Sequence, residues 1–405
     1  MEQDNTPEAL RPGPVQRVGV AVFLTVWCFI AAFPLVWIAV MSFRAPQDAL
    51  AADPLRVLLG PTTLAGSGGL SVIDIALGIG FLWLAWRAAT RFVPGLAVRM
   101  EPVHAVPRWL ALGLGYVLAL GAGGLFVLPV LARALDALLA PVPGLGLLAE
   151  PVIGITLDHY RAVWVRQEFY RNFLNSMMVT LGVVVISLTV GTLAGYALAR
   201  SQSRLAFWLL VAALVFRALP HSVLATGYVP FFLNSREILA PLWDWPLTGW
   251  FFHLFSSRPP LLYGQPLATI IVLVSINQPF TIWMLRSFFQ NIPAELDEAA
   301  RVDGCSHLEA FWRAIMPVMW PGVITTGLFS FLLAYNDYLV TALLLDAQSM
   351  TMVPAITQFL NRDVRLSDQI EAIAAAVSIT APLFVLVLAF QRQIVAGLTQ
   401  GAVKG

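Results

Sequence analysis

From Val18 to Phe43 the chain reads VGVAVFLTVWCFIAAFPLVWIAVMSF, without one charged side chain. A bilayer core is crossed by about 20 helical residues, and hydrocarbon offers no partner to an open backbone amide. Such a run therefore predicts a membrane-spanning helix. A cleaved signal peptide would have a shorter apolar region and a basic start. Further apolar runs follow at about 71–93, 108–132, 173–199, 205–232, 266–288, 318–345 and 372–395. The expected fold is an all-α polytopic membrane protein of about eight spans. Charged residues make up 12% of the chain, half the roughly 25% of soluble domains, so apolar runs rather than soluble domains set the architecture.

The same residues exclude several functions. A net charge of +1 gives no basic field for nucleic acid. Cys28 lies in an apolar run and Cys305 in a charged one, which argues against a disulfide between them. The five histidines and two cysteines show no metal-ligand spacing, and no His/Asp/Glu cluster in the spans suggests a catalytic site. The single lysine, Lys404, is followed only by Gly405. A phosphate-binding P-loop needs Lys followed by Ser or Thr, so this chain holds none, and any ATP driving it is hydrolysed by another polypeptide.

Orientation is weakly marked. With the N-terminus inside, 13 Lys and Arg fall in inside segments and 10 outside, with Arg217 left within a span. The positive-inside rule thus favours a cytoplasmic N-terminal tail, residues 1–17, and a cytoplasmic C-terminal tail, residues 396–405. Residues 155–171 suggest a short interfacial helix anchored by Tyr160, Trp164 and Phe169. Gly78, Gly80, Gly113, Gly115 and the Gly-rich stretch 121–124 would let the hairpin at 71–132 pack closely.

The charge is concentrated in DEAARVDGCSHLEAFWRAIMP, Asp297–Pro317, between two apolar runs. Pro293 suits a first helical turn, and Glu295, Asp297 and Glu298 complement the helix dipole there. Gly304 suits a stop at positive φ. Ser306 and Glu309 form a capping-box pattern that starts a second helix, with Leu308, Phe311, Trp312 and Ile315 on one side and Pro317 ending it. Two short helices joined at a glycine corner are expected. An amphipathic loop resting on lipid headgroups is the plainer reading. Against it, Ala299, Ala300 and Gly304 leave a bare surface for close approach, and the acidic cluster would be repelled by anionic lipid.

Glu298-Ala299-Ala300, Gly304 and Ile315-Met316-Pro317 together resemble the "EAA" loop of bacterial binding-protein-dependent ABC importer permeases. IPAELDEAARVDG, FLNSMMVTLGVVVISLTVGTLAGYALAR, YNDYLVTALLL and the tail GLTQGAVKG resemble the carbohydrate branch of that family, the maltose/trehalose-type inner permeases. The likeness covers about residues 18–45 and 151–405. Ala314 and Met316 stand where the family often has Ile and Leu, and Tyr335 and Asp337 where Trp and Glu are common. Residues 66–150, with two spans, are an insertion relative to the family's six-span pattern. The resemblance implies a type I importer core, residues 18–43 and 151–395, plus an extra transmembrane hairpin. It implies a cytoplasmic coupling loop, residues 290–317, in which Glu298, Ala299, Ala300, Asp303, Gly304, Ser306 and Glu309 dock on an ATPase and pass its motion to the flanking spans. It further implies a bacterial inner-membrane location, a second permease subunit, an ATPase dimer carrying ATP and Mg²⁺, an extracytoplasmic solute-binding protein, no cofactor on this chain, and a carbohydrate or polyol as cargo.

Polar residues inside the spans are a separate group. Arg217 lies near mid-span, with His221 and Tyr228 on its stripe and Pro220, which lacks an N–H, expected to kink it. Ser330, Asp337 and Thr341 share helical spacing, as do Asn277 and Thr281. Arg217, His221, Asn277 and Asp337 could line a path, or Arg217 and Asp337 could pair with each other or with a partner permease. Trp243, Trp245 and Trp250 fit an interfacial belt, a sugar platform or a contact with the binding protein. Two competing readings remain: the same transporter with another cargo, such as a phosphorylated polyol or an amino acid, and an ion-coupled secondary transporter. The latter would want intramembrane carboxylates and internal repeats. Asp74 and Asp337 are the acidic residues well within the expected spans, and no repeat is visible.

Overall fold

A computed structural model describes residues 13–88, 90, 115–116, 118–139, 141–142, 145–201, 203–218, 221–254, 256–360 and 366–400. The chain divides into two compact units, Met1–Ala162 with Asp363–Val377, and Val163–Arg362 with Ser378–Gly405.

The first unit opens with α1, Pro14–Ser42, with proline at its first turn where no N–H is missed. Three short helices follow, α2 (Pro46–Ala49), α3 (Pro54–Leu59) and α4 (Pro61–Ser67), each again begun by proline. Strand β1 (Gly69–Ser71) leads into α5 (Val72–Arg87), whose start is a Ser71/Asp74 capping box. A π-turn at Gly123–Val127 precedes α6 (Leu128–Leu139). Strand β2 (Pro151–Gly154) returns antiparallel to β1, Gly69 opposite Gly154, and α7 (Asp158–Arg161) comes next. The inserted segment thus leaves and re-enters at one two-stranded neck. Gly154 is required there, since a Cβ would stand 2.3 Å from the Gly60 carbonyl oxygen.

Around the neck lies a polar knot that the sequence did not announce. Arg44, 4% exposed, donates Nε to the Val57 carbonyl (2.7 Å), Nη2 to that of Leu58 (2.5 Å) and Nη1 to that of Gly154. His159 bonds through Nε2 to the Arg44 carbonyl at 3.0 Å. Asp48, fully buried, accepts from the Thr63 N–H (2.7 Å), the Thr63 hydroxyl (2.8 Å) and Arg56 (3.2 Å). Tyr160 shares a hydrogen bond with Ser42 at 2.8 Å and packs on Phe43. It is part of this knot, not a lipid anchor.

The hairpin's described parts do pack. Tyr116 donates to the Ala85 carbonyl at 2.7 Å. Close approach rests on Gly123, where a Cβ would meet the Phe81 ring at 2.9 Å; Gly78, Gly80, Gly115 and Gly121 have open space instead. Gly113 and the middle of the hairpin, 91–114, fall outside the described residues, as do the tail residues 1–12 and 401–405.

The second unit is a helical bundle: α8 (Phe169–Arg200), α9 (Arg204–Arg217), α10 (His221–Leu233), α11 (Ser235–Asp244), α12 (Gly249–His253), α13 (Pro266–Gln290), α14 (Glu295–Val302), α15 (His307–Tyr335), α16 (Leu339–Leu344) and α17 (Met352–Leu360). Helix α18, Leu366–Gln400, contributes residues to both units. Among the described residues, five helices are long and apolar enough to cross a bilayer: Val18–Ser42, Phe169–Arg200, Pro266–Gln290, His307–Tyr335 and Leu366–Val387. The run expected as one span at 205–232 is two shorter helices, α9 and α10. That expected at 318–345 breaks after Tyr335 and resumes at Leu339.

Helices α8, α13 and α15 form the centre. One apolar cluster joins Val179 and Val183 of α8 to Leu273 and Ile276 of α13 and Val340 and Leu344 of α16. A second apolar cluster holds the charged elbow. The Phe169 side chain is 1% exposed and meets Trp164 and Phe359 edge-on, while Trp164 donates to Ser378 at 2.9 Å. These aromatics face protein, contrary to the interfacial reading of 155–171.

Candidate functional site: a charged elbow on the bundle

The elbow runs from the end of α13 through α14 to α15. Its corner is a Schellman stop. Gly304 has φ +89°, Cys305 N–H donates to the Ala300 carbonyl (3.0 Å), and Gly304 N–H to that of Arg301 (3.0 Å). The next helix begins with the reciprocal capping box: Ser306 N–H to Glu309 Oε2 at 3.0 Å, and Glu309 N–H to Ser306 Oγ at 3.3 Å. Both signals were readable in the sequence.

The course of the second arm was not. Pro317 does not end it. The backbone makes a π-turn at Phe311–Ile315, and Pro317 falls in the first turn of the α-helical stretch beyond, where its absent N–H does no harm. The arm and the span are therefore one helix of 29 residues, His307–Tyr335. Likewise Pro293 precedes α14, which starts at Glu295.

The elbow has an inner and an outer face. Inside, Phe289, Ile292, Phe311, Ile315, Met316 and Met319 form a buried cluster, with Tyr196 of α8 packed 4.9 Å from the Phe311 ring. Asp297 is drawn into this face: Arg200 Nε donates to its Oδ2 at 2.7 Å and the Tyr196 hydroxyl to its Oδ1 at 2.5 Å. Outside, Glu298, Ala299, Asp303, Gly304 and Ser306 are exposed, and Glu309 is half-buried. Ala300 is 8% exposed and belongs to the inner face. Leu308 and Trp312 point outward, so the expected stripe Leu308-Phe311-Trp312-Ile315 divides between the faces, as the wider π-turn dictates. Sequence reasoning missed Val302, 87% exposed; the cue was its place on α14 away from Asp297 and Ala300.

The intramembrane candidates do not form one site. Asn277 donates Nδ2 to Ser330 Oγ at 2.8 Å, and Thr281 lies 3.4 Å from the same hydroxyl, so these three lock α13 to α15. The guanidinium of Arg217 sits over the Phe280 ring, 4.6 Å from its centroid. The His221 side chain and Pro220 lie outside the described residues. Asp337 is not on a helical stripe with Ser330, because α15 has ended. It lies just before α16 and accepts the Thr341 N–H of that helix's first turn at 3.0 Å. Trp243 is structural: it stacks on Phe252 at 4.6 Å and donates to the Ser256 carbonyl at 3.0 Å. Trp245 and Trp250 are exposed.

Residues 187–400 match the family described as binding-protein-dependent transport system inner membrane component. The chain is 32% identical over 252 residues to the trehalose transport system permease protein of Mycobacterium tuberculosis, covering 62% of this chain and 83% of that one. It is 31% identical over 253 residues to a diacetylchitobiose uptake system permease protein of Streptomyces coelicolor (62% and 82%). It is 28% identical over 251 residues to a maltodextrin transport system permease protein of Bacillus subtilis (62% and 81%). In fold it is similar to a chain of a bacterial ABC transporter involved in importing the acidic polysaccharide alginate, with TM-score 0.53 and 17% identity over 96% of this chain and 99% of the other.

Proposed function

We propose, from the premise that this chain belongs to the binding-protein-dependent transport system inner membrane component family, that it imports a carbohydrate as one half of an ATP-driven permease pair. The family makes it a multi-pass membrane transport subunit. In this reading a second permease completes the pathway, and an extracytoplasmic solute-binding protein delivers the sugar. An ATPase dimer binds ATP and Mg²⁺, and both tails and the elbow are cytoplasmic.

The observation that carries the reading is the elbow's construction. It exposes Glu298, Asp303 and Val302 around a capped corner, and its second arm is continuous with a 29-residue helix. A rigid helix shifts as a body, so displacement at Gly304 reaches the bundle without being absorbed at a joint. The acidic rim with an apolar tip suits a groove of basic edge and apolar floor on the ATPase. The carbohydrate cargo is supported by relatives named for trehalose, diacetylchitobiose and maltodextrin, which favours a sugar over a phosphorylated polyol or an amino acid. Arg217 and the Asn277–Ser330 pair are proposed as bundle-holding groups rather than sugar ligands, since each is already engaged within the protein.

The test is uptake by proteoliposomes holding this chain, its cognate permease and the ATPase. The binding protein is first screened by thermal shift against trehalose, maltodextrin and diacetylchitobiose. ATP-dependent uptake of the stabilising sugar is expected. Uptake that continues without the ATPase contradicts the proposal.

A further inference from the structure

Three elements meet at one guanidinium. Arg200 ends α8; its Nε holds Asp297 at the start of α14, and its Nη1 donates to the carbonyls of Ile292 (3.1 Å) and Phe289 (3.4 Å) where α13 terminates. A cation there satisfies helix-end carbonyls and complements the dipole. Tyr196, one turn earlier on α8, takes the other Asp297 oxygen, and the Arg200 guanidinium lies 5.9 Å from its ring centroid. The pair is mostly shielded, with 23% and 11% side-chain exposure, so it is screened less than a surface pair. Of the three acids in the first turn of α14, Asp297 alone is buried, while Glu295 and Glu298 are exposed.

We infer that Asp297, gripped by Arg200 and Tyr196, is a positioning residue that fastens the elbow to α8, so that work received at the elbow moves α8 together with α13 and α15. The inference rests on the coupling reading and adds a third receiver to the two spans covalently joined to the elbow. The aromatic contacts of Tyr196 with Phe289 and Phe311, at 5.4 and 4.9 Å, resist compression but slide under tension. A charged grip on both carboxylate oxygens is directional and resists both. Without it, α14 can turn about the links at 291–294 and at Gly304, and the end of α8 loses its direct tie to the elbow.

The experiment is hydrogen–deuterium exchange on the full complex in nanodiscs, with and without ATP plus vanadate, which requires no knowledge of the sugar. In the wild type, nucleotide trapping is expected to change exchange both in α14 and in the last two turns of α8. Asp297→Asn should keep the α14 response and reduce that of α8 about tenfold, the weight of one charged hydrogen bond. The conservative variant Asp297→Glu, which keeps a carboxylate for Arg200 and Tyr196, should restore it, which a merely structural contact would not require. An α8 response in Asp297→Asn equal to wild type overturns the inference, as does failure of Asp297→Glu to recover any of it. Should Asp297→Asn not assemble, Tyr196→Phe takes its place, with about a threefold reduction expected for one neutral hydrogen bond and a wild-type response overturning the inference. If the wild-type α14 itself does not respond, it is the coupling reading that fails.

Discussion

The neck around Arg44 and the elbow around Asp297 are built from the same materials and finished differently. Each buries a charged side chain near the end of a long apolar helix, and each gathers partners distant in sequence. At the neck the charges are used up internally: Arg44 donates to three backbone carbonyls, and Asp48 accepts from Thr63 and Arg56. At the elbow one carboxylate is turned inward while Glu298 and Asp303 stay in water. A closed network holds a fold, whereas a half-open one holds a surface in place for something else. The neck is thus the fixed collar of the insertion, and in the coupling reading the elbow is the working part.

Substitutions at the two places should fail in different ways. The largest effect is expected for Arg44→Leu, which leaves three inward carbonyls without a donor and should cost about 3 kcal/mol of stability. A lowered melting temperature of the detergent-solubilised chain would register it, whereas an unchanged melt would remove the distinction between collar and surface. In the coupling reading, Glu298→Lys should leave the melt unchanged and weaken ATPase binding about tenfold by placing like charge against the proposed basic groove, read by co-purification at graded salt. A fall in melting temperature there would make Glu298 a structural residue.

Gly304→Ala is a finer probe. At φ +89° a Cβ costs about 1–2 kcal/mol, although the space around it is open. The expected result is a small loss of stability with faster exchange in residues 300–305, confined to the elbow. The smallest effect is the neck's response to acid. Burial pushes the His159 imidazole below its ordinary value, more than its Arg44 carbonyl bond and the nearby Glu371 and Asp158 raise it. A depressed folded value means the unfolded chain binds more protons, so stability falls as pH drops below about 6.5. Burial raises Asp48, but hydrogen bonds from Thr63, Thr62 and Arg56 outweigh it and leave the group below its usual range. Its contribution is lost only as pH falls below about 3.9. A melt that loosens in two stages, the first removed by His159→Gln, is expected for the neck; a flat profile would contradict it.

The corner itself was legible because its determinants are local. Gly304 and the Ser306–Glu309 pair act within a few residues, and the backbone follows them. The inward turn of Asp297 was not legible, because Arg200 lies 97 positions away. The neck was hidden for the same reason, with Arg44 and His159 separated by 115 positions. Pro317 was misread because a proline looks alike as a terminator and as a first-turn residue, and the π-turn before it decides between them. Ala300 was misplaced because a small residue in an exposed motif says nothing about which face it takes.

In the coupling reading, the outer face of the elbow is the surface that an ATPase covers. A chain with Cys28 and Cys305 replaced by serine, carrying cysteine at Val302, can be treated with a membrane-impermeant maleimide in vesicles of known orientation. Labelling from the cytoplasmic side alone, blocked when the ATPase is bound, is the expected result. Labelling from the opposite side, or labelling that the bound ATPase does not slow, would contradict it.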